Sequence, residues 1–307
     1  MSPLRAAVGD YLAMRRALGF KLDREEKLLP QFADFIQERG EQHLSTKAAL
    51  AWATLPAGSA AWWSSRLRIA RGFAVYMHAI DPANEVPAPD LLPSPPHRAT
   101  PYLYDEKQIA ALLAAATTLR TPHRVATFQT LLGLLAVTGM RIGEAVGLDR
   151  EDFDARSGCL VVRGAKFGKS RELALHPSTV AALRRHLRAA ERPPPAPGTC
   201  ALLITIVGTR LSVGDAQRTF ATLRRRAGIE ARSASCRPRL HDLRHSFAVA
   251  TVLDGYRADE DVGRRLALLA TYLGHVSPAS TYWYLSAAPE LMQLAAQRLQ
   301  RHTEAGS

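Results

Sequence analysis

The sequence contains no long apolar run, few cysteines and fewer acidic than basic residues. A membrane-spanning helix needs about 20 consecutive apolar residues, and no such run occurs among the 307 residues. The N-terminal stretch MSPLRAAVGDYLAMRRALGF lacks the apolar core and cleavage site of a signal peptide. The widely spaced Cys159, Cys200 and Cys236 fit neither a disulfide framework nor a metal-ligand pattern. These features predict a cytoplasmic protein with no membrane partner.

The shortage of acidic residues gives the chain a strong positive charge. There are 40 Lys and Arg residues against 28 Asp and Glu, which leaves a net charge of +12. Most of the excess lies after residue 98, and it is densest between Arg218 and Arg244. Arginine dominates, and its planar guanidinium suits paired hydrogen bonds to phosphate. The charge therefore favours a nucleic-acid partner. The alternative is a solubilising surface in which Arg replaces Lys.

A proline-rich segment divides the chain. Seven prolines fall within residues 81–101, and such a run favours an extended, semi-rigid linker over a helix. Before it, apolar residues at helical spacing predict about four helices in a domain spanning residues 1–80. After it, residues 102–307 form the second predicted domain.

The second domain is predicted to be mainly α with a small antiparallel β-sheet. CLVVR (159–163) and RELAL (171–175) flank a turn-like stretch and predict a hairpin, and ALLITIV (201–207) is a candidate third strand. Gly139 is the expected C-terminal cap of one helix. Helical spacing of apolar residues predicts further helices at 105–117, 122–138, 213–227, 241–253, 260–270, 278–286 and 289–301.

Two motifs in this domain carry basic side chains suited to a phosphate. Arg141 follows Thr-Gly at a helix end, where its guanidinium would lie beside backbone N–H groups. Lys166 and Lys169 occupy the predicted hairpin tip, from which a lysine can enter a DNA groove or donate a proton to a leaving alkoxide. Each residue alone is more typical of an ordinary surface position.

Two further motifs bring histidine, arginine and tyrosine together. His241 and Arg244 are three residues apart on a predicted helix and would share a face. That face suits an anionic transition state better than a metal, which would need more ligands at matching spacing. The stretch YLGHVSPASTYWYLS contains His275 and several tyrosines, which need a base or positive charge to become nucleophiles. Tyr282 and Tyr284 would be about 200° apart on a helix, so only one can face a given phosphate.

Taken in order, these motifs resemble the tyrosine recombinase (phage integrase-like) family. The matching stretches are TGMRIGEAVGL, AKFGKSRELALHP, RLHDLRHSFA and YLGHVSPASTYWY, and they cover roughly residues 102–290. The stretch STYWYLSAAPELM resembles those of transposon-encoded members. The resemblance implies a two-domain, C-shaped clamp around double-stranded DNA. Its parts would be a helical core-binding (SAM-like) domain and an α+β catalytic domain with a C-terminal tail helix.

The resemblance also implies an enzyme that exchanges strands between two duplexes through a covalent 3′-phosphotyrosine intermediate. Because the bond energy is kept in that intermediate, no ATP or other cofactor is expected. No metal is expected either, since the arginines would neutralise the phosphate charge and tyrosine replaces an activated water. The sequence has no GxxxxGK[ST] motif. The implied roles are phosphate binding by Arg141 and Arg244, base or hydrogen-bond donation by His241, protonation of the leaving 5′-oxygen by Lys166 (or Lys169), phosphate hydrogen bonding by His275, and attack by Tyr284.

The remaining expectations concern partners. Expected DNA contacts are Lys169, Arg171, Arg224, Arg225 and Arg239. A homo-tetramer on two paired sites is expected, with a monomer or weak dimer when free, and accessory recombinases or DNA-bending proteins as further partners. The tail after Tyr284 is expected to dock on a neighbouring protomer; the alternative is that it folds back on its own domain. Competing functions are a type IB topoisomerase, a non-catalytic DNA-binding relative and a basic RNA-binding protein.

Overall fold

The chain divides into two compact units, Met1–Arg98 and Ala99–Ser307. The computed structural model describes residues 3–93, 100–163 and 170–274, with residues 290–291, 293–294, 296–297 and 300. None of the helices in these ranges has the length and apolarity of a membrane-crossing segment. The predicted helix at 278–286 lies outside the described residues.

The first unit contains the four helices that its apolar spacing predicts. Ser45 caps the third helix by accepting a hydrogen bond from the backbone N–H of Ala48 at 3.1 Å. The unit has its own core, in which Phe32 and Phe73 are fully buried and Trp52 is 2% exposed. The helices are α1 (Pro3–Ala17), α2 (Glu25–Glu38), α3 (Thr46–Thr54) and α4 (Ala60–Ile80).

The start of the proline-rich segment is bound to this first unit. Asn84 is buried, and its side-chain oxygen accepts a hydrogen bond from the backbone N–H of Leu44 at 2.9 Å. Arg71 donates to the carbonyl of Pro87 at 2.8 Å. Residues 84–87 are therefore fixed by hydrogen bonds to helices and loops of the unit, and they do not form an extended spacer.

The second unit is mainly helical with one small sheet, which confirms the predicted fold class. The three strands are antiparallel in the order β1-β2-β3. The strands are β1 (Phe153–Asp154), β2 (Cys159–Val162) and β3 (Arg171–Ala174). The helices are α5 (Glu106–Ala116), α6 (Pro122–Thr138), α7 (Ile142–Gly147), α8 (Pro177–Arg188), α9 (Val213–Arg226), α10 (Asp242–Arg257) and α11 (Val262–Leu273). Of these helices, α7 and α8 are not among those that the sequence analysis predicts.

The predicted hairpin is present as β2 and β3. Leu160 pairs with Leu173, and both side chains are fully buried in the core of the unit. Val162 pairs with Arg171, which places Arg171 at the end of the hairpin from which the tip segment continues. That tip, residues 164–169, lies outside the described residues.

The prediction of a strand at residues 201–207 is wrong. Ala201 and Ile204 are fully buried, but each makes only an isolated bridge, with Asp149 and Arg210 respectively. A tight turn follows at once, so the chain reverses before a ladder can extend. The third strand of the sheet is β1. Residues 201–204 are completely buried in the core, which periodicity alone does not distinguish from a strand, whereas Ile206 and Val207 are exposed in the turn.

Candidate active site

Arg141 lies between the end of α6 and the start of α7. Helix α6 ends at Gly139, whose φ of 59° is in the left-handed region, as its expected capping role requires. The Arg141 guanidinium donates to Glu144 Oε1 at 2.7 Å, and the Arg141 backbone N–H donates to Glu144 Oε2 at 2.9 Å. The side chain is 33% exposed. It therefore reaches solvent while one end is held by a carboxylate.

Glu144 joins this arginine to a second one on the sheet. Its side chain is 9% exposed and accepts two hydrogen bonds from Arg171, from Nη1 at 3.2 Å and from Nη2 at 2.7 Å. Burial alone would raise the pKa of Glu144, but the hydrogen bonds from Arg171 and Arg141 lower it to about 2. The sequence analysis does not single out Glu144. The pattern that would have found it is a Glu at the third position of a helix, the place of a capping-box carboxylate.

Arg244 is buried in the first turn of α10, with 2% of its surface exposed. Its Nη1 donates to the carbonyl of Gly139 at 2.8 Å, and its Nη2 donates to the carbonyl of Leu273 at 2.8 Å. One guanidinium thus ties the end of α6 to the end of α11. The structure brings Arg141 and Arg244 to the same place, although they are far apart in sequence.

The end of α11 is the point on which the arginines converge. Its last carbonyls have no partner within the helix and carry the negative end of the helix dipole. Gly274 follows the helix with a φ of 66° and directly precedes His275 in the chain. Three consecutive carbonyls accept hydrogen bonds here: Tyr272 from Arg171 (2.9 Å), Leu273 from Arg244 (2.8 Å) and Gly274 from Arg141 (3.4 Å). We call Arg141, Arg171 and Arg244 the arginine cluster.

His241 lies one residue before α10, and the residue as a whole is exposed. Its ring is nevertheless partly surrounded by protein, and this partial burial lowers its pKa first; repulsion of the protonated form by Arg244 lowers the pKa further. Arg239 and Arg141 act in the same direction, and Asp242 opposes them. The ring is therefore neutral at neutral pH and lies within the field of the arginine cluster.

The expected DNA contacts divide into two groups. Arg171 is 12% exposed and bound to Glu144, and Arg239 holds the fully buried carboxylate of Asp242 through Nε at 3.0 Å and Nη2 at 2.7 Å. Arg224 and Arg225, in the last turn of α9, line a surface pocket of about 470 Å³. None of these contacts with DNA is tested, and they stay predictions.

Several predicted site residues are not among those described. Lys166 and Lys169 of the hairpin tip, and His275 and Tyr284 of the tyrosine motif, lie outside the described residues. In the ranges that the structure describes, His, Cys, Asp and Glu side chains form no cluster of three suited to a metal ion. The described part of the site therefore consists of the arginine cluster, Glu144 and His241.

Comparisons with known proteins identify the family of this chain. Residues 103–290 match the phage integrase family. The chain is 44% identical over 311 residues, 99% of each protein, to the protein y4rB of Sinorhizobium fredii (strain NBRC 101917 / NGR234), whose name gives it as an integrase/recombinase. It is 34% identical over 197 residues to the tyrosine recombinase XerD of Mycobacterium tuberculosis (strain ATCC 25618 / H37Rv), covering 62% of this chain and 58% of that one.

Solved structures show the same fold at low sequence identity. The integrase of transposon Tn1549, in complex with transposon right end DNA, has a TM-score of 0.62 at 16% identity and covers 96% of this chain and 98% of that chain. The XerH site-specific recombinase, in a post-cleavage complex with a palindromic difH substrate, has a TM-score of 0.61 at 19% identity, covering 89% and 78%. The family match covers residues 103–290, and y4rB is similar over nearly the whole length of both proteins. The chain therefore belongs to the phage integrase family and is a tyrosine recombinase.

Proposed function

We propose that this tyrosine recombinase cuts and rejoins double-stranded DNA through Tyr284. The tyrosine oxygen attacks a backbone phosphate, a 3′-phosphotyrosine forms, and the bond to the 5′-oxygen breaks. A 5′-hydroxyl from a second duplex then attacks the phosphotyrosine and exchanges the strand. The observation that carries the proposal is the convergence of Arg141 and Arg244 on the backbone directly before His275.

The charge of the described site suits a phosphoryl transition state. Negative charge builds up on the non-bridging oxygens, and preorganised cations aimed at them supply the largest share of the stabilisation. The arginine cluster brings three guanidinium groups together, and within the described contacts Glu144 is the carboxylate that neutralises part of their charge. The excess is positive, and Arg141 is partly open to solvent. We assign Arg141 and Arg244 to the phosphate oxygens.

The lowered pKa of His241 supports a role in activating the nucleophile. A neutral imidazole can accept the proton of the Tyr284 hydroxyl, or it can donate a hydrogen bond to the phosphate. We assign Lys166 as the acid that protonates the leaving 5′-oxygen and His275 as a phosphate hydrogen-bond donor. These assignments rest on the family resemblance of their motifs.

The nucleophile is tested by two matched tyrosine variants. Tyr284→Phe should abolish the covalent protein–DNA adduct and leave DNA affinity unchanged, because only the attacking oxygen is removed. Tyr282→Phe should still form the adduct. The assay is denaturing gel electrophoresis of labelled, nicked duplex after incubation with each protein, beside an equilibrium binding measurement. An adduct with Tyr284→Phe, or its loss in Tyr282→Phe, would overturn the assignment.

Strand exchange is tested with two distinguishable duplexes that carry the same site. A recombinase joins an end of one duplex to an end of the other, whereas a nicking-closing enzyme reseals the strand that it cut. We expect recombinant joints of defined length on a sequencing gel. Relaxation of a supercoiled plasmid without such joints would favour the topoisomerase alternative.

Assembly on DNA involves the tail in this proposal. Glu290 pairs with Arg257 at 2.7 Å, and Leu291 is buried against α10 and α11 of its own chain. The tail thus begins on its own domain. We propose that residues 292–307 dock on a neighbouring protomer when a tetramer forms on two sites, with accessory DNA-bending proteins aiding the assembly. Removing residues 292–307 should leave binding to one site intact and abolish cooperative assembly on paired sites, as seen by gel shift; unchanged cooperativity would contradict the docking.

A further inference from the structure

We infer that Arg171 is a positioning residue for DNA cleavage, which holds the end of α11 and Glu144 in place and does not itself bind DNA. The inference rests on the proposed function, because it assigns Arg171 a task in the same site. It also differs from the sequence-based expectation, in which Arg171 contacts DNA.

The hydrogen bonds that Arg171 makes within the protein leave few of its N–H groups available to a phosphate. Its Nε donates to the carbonyl of Tyr272 at 2.9 Å, and its two terminal nitrogens donate to the two oxygens of Glu144. All three nitrogens thus have protein acceptors, and the side chain is 12% exposed. Two of these bonds go to the Glu144 carboxylate, which offsets the charge that would attract a phosphate, whereas the described bonds of Arg244 go to uncharged carbonyls.

The backbone of Arg171 is held in place by the sheet. It is the first residue of β3 and pairs with Val162, which is 1% exposed. Two residues further along the strand, Leu173 is fully buried in the core. A side chain that projects from a packed strand holds its partners more precisely than one on a loop. Arg171 therefore fixes the end of α11 relative to the sheet.

Arg171 also lies directly against Gly274. A Cβ built on Gly274 would come within 3.1 Å of Arg171 Nη1, a tighter approach than a side chain normally accepts. Together with the bond to Tyr272, this contact fixes the residues just before His275. Since reacting groups must be held within fractions of an ångström, a shift of this backbone would lower cleavage even though Arg171 touches no reacting atom.

The charge of Arg171 matters for Arg141 as well. Glu144 is shared between the two arginines, and each donates to it at 2.7 Å. If Arg171 loses its charge, Glu144 is left with Arg141 as its remaining partner among the described contacts. The carboxylate then neutralises Arg141 more fully, and less positive charge remains for a phosphate. Arg171 thus acts on the site through Glu144 and through the backbone.

The test separates the rate of cleavage from DNA affinity. Arg171→Gln should lower the first-order cleavage rate at saturating DNA by about 100-fold, the scale expected for a misplacement of about 1 Å. The Kd for DNA should change less than about threefold, and the slope of log Kd against log salt should not change. Arg171→Lys keeps a positive charge beside Glu144 and protects the fold, but its single nitrogen cannot reach the Tyr272 carbonyl and both Glu144 oxygens in the way that three guanidinium nitrogens do. It should still cleave at least about tenfold more slowly.

Arg184→Gln is the matched control. Arg184 is an exposed arginine of α8 that also donates to a backbone carbonyl, that of Ala155 at 2.6 Å. This variant removes one charge and one arginine–carbonyl bond from the same unit, and it should cleave like the parent protein.

Two results would overturn the inference. The first is weaker DNA binding by Arg171→Gln with a slope of log Kd against log salt that is smaller by about one, which would show that Arg171 contacts a phosphate directly. Parental cleavage in both Arg171 variants would show that the contacts do not matter for the reaction. Failure of the proposed function looks different, because the parent protein and Arg184→Gln would then also form no adduct through Tyr284.

Discussion

Replacing Gly139 by alanine should destabilise the second unit and disturb the arginine cluster. Gly139 has a φ of 59°, which an L-residue adopts only with strain. A Cβ at this position would collide with the Phe247 ring and lie 3.0 Å from a methyl group of Leu273. The Gly139 carbonyl is also an acceptor of Arg244. The substitution therefore strains the backbone and crowds the residues that meet at the end of α11.

The size of the effect follows from these two contributions. A left-handed conformation costs an L-residue about 1–2 kcal/mol. Overpacking of a filled core costs about 1–3 kcal/mol. Because the Phe247 ring packs against Tyr272 and cannot move away without disturbing it, we expect both contributions in full. The free energy of unfolding of the unit should fall by about 2–5 kcal/mol.

The assay is urea unfolding followed by circular dichroism, with hydrogen exchange of peptides from α6 and α10 to assign the loss to the second unit. Gly143→Ala is the matched control from the same motif, since it lies inside α7 with nothing within 4 Å of the added Cβ. That control should be neutral or slightly stabilising. Equal stability of the two alanine variants would refute the reasoning about Gly139.

Three further predictions concern stability. The pKa of Glu144 is about 2 against an ordinary 4.5, so its ion pairs stabilise the fold fully above about pH 4.5 and are lost as the pH falls toward 2. Glu144→Gln should lower the free energy of unfolding at neutral pH by up to about 3 kcal/mol and remove this dependence on acid pH. The measurement is urea unfolding at a series of pH values. The pKa of buried His186 is lowered from 6.5 to about 4, first by burial and then by the nearby Arg192. As the pH drops from 6.5 to 4, the unfolded state takes up this proton before the folded state does, so the free energy of unfolding falls by up to about 3 kcal/mol. His186→Gln should remove that loss. Ser45→Ala should lower the thermal stability of the first unit by about 1 kcal/mol, because the cap to the Ala48 N–H is lost.

Each of these has a contradicting outcome. A Glu144→Gln protein that keeps the parental acid dependence would show that the carboxylate is not held in its charged form by the arginines. The same result for His186→Gln would place its ring in water or in its protonated form. An unchanged midpoint in Ser45→Ala would mean that water replaces the cap without loss.

Local patterns in the sequence predict most elements of the fold. Helical spacing of apolar residues predicts the helices of the first unit, and CLVVR and RELAL on either side of a turn-like stretch predict the hairpin. The apolar run at 201–207 is misassigned because a short apolar sequence looks the same for a strand and for an irregular segment, here buried at 201–204 and exposed at Ile206 and Val207. Helix α8 is missed although Pro177 stands at its first position, a place that proline favours.

The site is only partly predictable, because its contacts are non-local. The motifs single out Arg141, His241 and Arg244, and His241 lies at the N-cap of α10, one residue before the helix begins. Glu144 and the role of Arg171 emerge only when the sheet and the end of α11 are placed side by side. A basic residue beside a hairpin tip suggests DNA binding, and the sequence cannot show that its three nitrogens are occupied by protein acceptors.

The central claim is that Tyr284 is the nucleophile of a site whose phosphate is held by Arg141 and Arg244. The most direct measurement is mass spectrometry of the trapped protein–DNA adduct after digestion with protease and nuclease. The account predicts that a nucleotide is linked through its 3′-phosphate to the peptide containing Tyr284, and that fragmentation places it on that side chain. Linkage to Tyr282 or another residue, linkage through a 5′-phosphate, or no covalent adduct at all would contradict it.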